Sequence, residues 1–89
     1  MSEQSKIEEL LGLRKALGFN QNQMAHVIDV SLREYQALEW GEKEIHDLYL
    51  RALERIAMQY AVHLEDPRLV PQAIRDDVVK LAKIVAATS

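Results

Sequence analysis

Apolar residues recur along this chain with a helical period, in five runs separated by glycine, proline or capping residues. Ile7, Leu10, Leu11, Leu13 and Leu17 line one face of a first helix over Lys6 to Leu17, and Gly18 ends it. Asn20 can cap a second helix, its side chain accepting from the amide of Asn22 or Gln23. That helix carries Met24, Ala25, Val27 and Ile28 and breaks at Asp29-Val30. Ser31 followed by Glu34 is the signature of a capping box, and Tyr35 and Leu38 are the inward residues of a third helix from Leu32 to about Trp40. Gly41 stops it. Asp47 is placed to cap a fourth helix to about His63, with Tyr49, Leu50, Leu53, Ile56, Ala57, Tyr60 and Leu64 on its apolar face. Pro67 lies in a break over residues 65–70, and Pro71 suits the first turn of a fifth helix to about Ala86. On that helix Ile74, Val78, Leu81 and Val85 step by four, three and four, a narrow seam that calls for another helix against it. The pattern is all-α, with no repeats and no low-complexity segment.

At 89 residues the chain has room for one small domain with a modest core, the kind that gains burial from a partner subunit. It has no cysteine, which excludes disulfides, thiolate chemistry and cysteine zinc sites. The N-terminus MSEQSKIEEL is polar and unlike a signal peptide, and no apolar run nears the roughly 18 residues that span a bilayer, so the expectation is a cytoplasmic protein without membrane contact. His26, His46 and His63 are scattered and suggest no metal site. No nucleophile–base spacing or phosphate loop occurs, so neither an enzyme nor a cofactor is expected.

The stretch QNQMAHVIDVSLREYQALEWG, Gln21 to Gly41, is punctuated as helix, short turn, helix, which makes DNA the leading candidate ligand. It resembles the phage repressor and Cro type of helix-turn-helix, the bacterial XRE family, over Lys6 to Ala61. The resemblance is carried by Leu13-Arg14, Gln21 after the Asn20 cap, Met24-Ala25 at the family's Leu-Ala position, Ile28-Asp29-Val30-Ser31 at its Leu-Gly-Val-Ser, Tyr35 at its buried aliphatic position, and the Leu38-Glu39-Trp40-Gly41 ending. It implies a five-helix lambda-repressor-like fold, with a helix-turn-helix DNA-binding domain over residues 1–64 and residues 65–89 forming a linker and a C-terminal dimerisation helix.

Further expectations follow from the resemblance. Arg14 and Glu39 match a structural pair that clamps the first helix to the third. The third helix is the recognition helix, entering the major groove by its N-terminal end. Ser31, Leu32, Arg33, Gln36 and Ala37 point outward there. Arg33 suits guanine, Gln36 adenine or a phosphate, and Leu32 a thymine methyl. Gln21, with Gln23 beside it, meets a phosphate, and Lys43 is the one basic residue in the loop after Gly41. The seam Ile74, Val78, Leu81 and Val85 would pair two subunits on a palindromic operator. Small phage or plasmid repressors, autoregulators and antitoxins are the kind of protein this implies.

Two features run against a strong grip on DNA. Asp29 replaces the turn glycine. The net charge is −3, from 11 Lys+Arg and 14 Asp+Glu, and the loop Glu42-Lys43-Glu44 is acidic where relatives are basic. The alternative is therefore a protein-interaction module that keeps the fold without binding DNA. Trp40 and Tyr35 are expected as core or rim aromatics.

Overall fold

The computed structural model describes residues 3–88. Met1 and Ser2, at the head of the polar N-terminal stretch, and Ser89, at the end of the C-terminal segment, lie outside the described residues. The fold is all-α: α1 (Glu3–Leu17), α2 (Gln21–Val27), α3 (Leu32–Glu39), α4 (Asp47–Leu64), a 3-10 turn (Pro67–Leu69) and α5 (Gln72–Thr88), with no strand among the described residues. These are the five helices that the apolar period predicts.

Most boundaries have a local chemical cause. Gly18 (φ 70°) and Gly41 (φ 76°) take the left-handed backbone that ends α1 and α3. Asn20 accepts from the amide of Gln23, and the Gln23 side chain accepts in return from the Asn20 amide, both at 2.8 Å, a complete capping box. Asp29, in the turn between α2 and α3, takes the left-handed region at φ 59°, a conformation that Asp tolerates better than most residues.

Three boundaries depart from the sequence expectation. At Ser31 only half of the capping box forms: its hydroxyl accepts from the Glu34 amide at 3.1 Å, while the Glu34 carboxylate turns to Lys43 at 3.4 Å. Asp47 does not cap α4. His46 holds the cap position without a side-chain bond, and Asp47 sits in the first turn, 3.3 Å from Lys6 Nζ. Finally, α1 begins at Glu3 rather than Lys6. Glu3 accepts from the Ile45 amide at 2.8 Å and Lys6 donates to the Ile45 carbonyl at 3.2 Å, so the extra turn is fastened to a loop some forty residues away.

The core joins α1 to α4: Leu10, Leu13, Met24, Ala25, Tyr35, Leu38, Leu50, Leu53 and Ala57 are all buried. Ile45, in the polar loop after Gly41, is completely buried with them. Trp40 does not join this core. It stands 63% exposed, against the expectation of a core or rim aromatic. Tyr60 and Leu64, expected on the inner face of α4, are also exposed, although the Tyr60 ring meets Phe19 edge-on at 5.3 Å.

Where α1 meets α4, the Glu9 carboxyl lies beside that of Glu54, with Arg51 Nη1 2.6 Å from Glu54. Burial, then the neighbouring Glu54 carboxyl and its charge, push the Glu9 carboxyl above its ordinary value. A raised carboxyl pKa in the folded state favours folding while Glu9 is protonated in both states. That contribution is lost as pH rises from the ordinary carboxylate value through the raised one. Glu9→Gln is therefore expected to raise Tm by a few degrees at neutral pH and to leave it unchanged below the ordinary carboxylate range. Thermal unfolding followed by circular dichroism at the two pH values checks this.

Candidate nucleic-acid interface

The helix-turn-helix is organised around one carboxylate. The Glu39 side chain, at the end of α3, is only 5% exposed. Arg14 from α1 brings Nε to 2.7 Å from Oε2 and donates from Nη2 to Oε1 at 3.4 Å. Gln21, the first residue of α2, donates Nε2 to Oε1 at 2.9 Å. The Tyr35 hydroxyl donates to Oε2. Tyr35 is fully buried, and burial, followed by its bond to Glu39, holds its phenol well above the ordinary range. The expected Arg14–Glu39 pair is thus present and acquires two further donors.

Hydrogen-bond polarity then propagates outward. A guanidinium only donates and a carboxylate only accepts. Gln21 must turn its NH2 to Glu39, and its carbonyl oxygen accepts from Gln36 Nε2 at 3.1 Å. Among the described residues, Gln36 keeps its carbonyl oxygen and one N–H without a partner. Its amide orientation is imposed by a charge two residues removed, since a flipped amide would oppose oxygen to oxygen. Gln21, expected at a phosphate, has most of its amide committed inside the protein. The Gln23 side chain likewise closes the α2 cap.

Outside this network the remaining candidates form an exposed face. Ser31, Leu32 and Arg33 are exposed at the N-terminal end of α3, and Ala37 is half-buried. Arg33 forms no ion pair among the described residues. Lys43 is tied to Glu34, with both side chains about half exposed, so the one basic residue of the loop carries a neutralising partner. Glu42 and Glu44 are exposed beside it.

Trp40 belongs to this face, and the sequence reading missed it there. It lies three residues after Ala37 and seven after Arg33, two nearly complete helical turns, so the three share one outward stripe. Extending the period outward from Arg33 would have found it.

The C-terminal seam lies elsewhere. Ile74 is half-buried, while Val78, Leu81 and Val85 are 40%, 60% and 56% exposed. From Asp76 on, every described residue of α5 is exposed. Where α5 leaves the body, Met58, Ala61, Val62, Val70, Val78 and Val79 line an apolar hollow of about 430 Å³.

No protein-family model, no curated protein and no solved structure matches this chain.

Replacing Glu39 by Ala strands the Arg14 guanidinium, the Tyr35 hydroxyl and the Gln21 amide together. The expected cost is about 2–4 kcal/mol, at the level of a partly buried ion pair broken on one side. Urea unfolding measures it, with the exposed Glu44→Ala as a near-neutral control.

Proposed function

We propose that this chain is a sequence-specific double-stranded DNA-binding transcriptional regulator, acting in the cytoplasm as a homodimeric repressor at a palindromic operator, with no catalytic activity. The observation that carries this is the union of two features. The α2–turn–α3 unit is locked by Glu39 against α1, and an unpaired arginine stands on the exposed N-terminal half of α3. A rigid unit of this kind can place Arg33 against guanine O6 and N7. The free oxygen and N–H of Gln36 match the N6 and N7 pattern of adenine, and Leu32 suits a thymine methyl. Ser31, exposed at the N-terminal end of α3, suits a phosphate.

Two copies would set their recognition helices about 34 Å apart, one helical turn of DNA, and repression would come from covering a promoter. Among the described residues no helix is long and apolar enough to cross a membrane.

A protein-interaction module is the alternative, and specific observations favour it. Lys43 is neutralised by Glu34, Glu42 and Glu44 are exposed, and Trp40 presents a large apolar side chain on the outer stripe of α3. Such a face suits a partner protein better than a phosphate backbone.

Gel-shift titration with DNA from upstream of the gene separates the two. Under the DNA reading a shift occurs at low salt, and Arg33→Ala weakens it by about 1–3 kcal/mol, roughly 5- to 150-fold. No shift at low salt, before or after substitution, would sink that reading in favour of the partner module.

A further inference from the structure

An isolated helix of 17 residues with every side chain from Asp76 onward in water has little stability of its own. Of the large apolar side chains exposed in this protein, Tyr60, Val62, Leu64, Val78, Val79, Leu81, Ile84 and Val85 all belong to the end of α4 or to α5, each 40–79% exposed. Together they offer on the order of 700 Å² per copy, close to the ~800 Å² that each partner contributes to a stable interface.

The seam itself says how two copies meet. Its steps of four, three and four read the same in either direction, with the midpoint between Val79 and Lys80. An antiparallel pair of α5 helices centred there sets Ile74 against Val85 of the second copy and Val78 against Leu81, so every seam residue faces another. A parallel pair also matches apolar to apolar, and charge chooses between them. Residues 1–66 carry seven Lys and Arg against twelve Asp and Glu, whereas residues 67–89 carry four against two. Parallel pairing would stack the two acidic bodies at one end and the two basic segments at the other. Antiparallel pairing lays the half of α5 bearing Lys80 and Lys83 beside the other copy's acidic body. It also brings Leu81, Ile84 and Val85 to the apolar hollow where α5 leaves α4.

We infer that a second copy of this chain occupies the free face of α5, in a two-fold antiparallel helix pair whose C-terminal half docks in the partner's α4–α5 hollow. The geometry rests on the two-copy proposal above, but it does not depend on DNA.

The chain has no cysteine, so introduced ones report without interference. In the antiparallel pair, equivalent positions 74 lie roughly 16 Å apart along the axis, as do positions 85. That is beyond the ~7 Å that a disulfide spans between Cα atoms. Ile74→Cys and Val85→Cys alone should therefore stay uncrosslinked on oxidation, while the double variant, or an equimolar mixture of the two single variants, gives covalent dimers. Sedimentation of the unmodified chain should show twice the 10.2 kDa of one chain, and Leu81→Glu should return monomers whose helical circular dichroism falls by no more than the 17 residues of α5, with the α1–α4 core still unfolding cooperatively. A monomeric unmodified chain overturns both the two-copy proposal and this geometry. A dimer in which either single variant crosslinks to itself, in which the double variant does not crosslink, or which survives Leu81→Glu overturns the antiparallel pair alone.

Discussion

The structure depends on satisfying the Glu39 carboxylate. A buried carboxylate without partners costs several kcal/mol, so its acceptor positions must be filled. They are filled from three helices at once: Arg14 on α1, Gln21 on α2 and Tyr35 on α3 itself. Arg14 ties α1 to α3 and Gln21 ties α2 to α3, while Tyr35 fills the carboxylate from its own helix, so neither α1 nor α2 can shift against α3 without leaving a polar group dry. The apolar core beneath is compatible with small shifts of packing. The carboxylate selects one arrangement among them.

The same constraint passes outward to the exposed face. Because the Glu39 carboxylate can only accept, the amides of Gln21 and Gln36 have one orientation each, and the outermost group is presented without rotational choice. A pre-oriented amide loses less freedom on meeting a base edge than a free one. The electrostatics work in the opposite direction. Lys43 is paired with Glu34, and the loop beyond Gly41 is acidic. Under the DNA reading, affinity would then come from a few directed contacts doubled by a second copy, with a shallow dependence on salt.

Much of the fold was legible because its determinants are local. The helical period, the glycines at 18 and 41 and the Asn20 cap each act within a few residues. The Arg14–Glu39 pair was legible only through family resemblance, since nothing local relates positions 25 residues apart. What escaped shares one cause, long-range contact. The first turn of α1 is held by Ile45, and Ile45 is buried from within a loop that looks polar. Glu34 prefers Lys43 to its own cap. Gln21 looks like a surface amide until Glu39 and Gln36 are placed beside it. Trp40 is the exception: its exposure follows from the helical period of α3, and its chemical type drew it toward the core instead.

The central claim is that a carboxylate-locked helix-turn-helix presents Arg33 as a base reader. Selection of bound duplexes from a random-sequence pool tests it most directly, with the Arg33→Ala protein run in parallel. The account predicts enrichment of two inverted half-sites about one helical turn apart, each containing a guanine whose enrichment disappears with Arg33→Ala. A pool that stays random for the unmodified protein, or half-sites that are identical for both proteins, would contradict it.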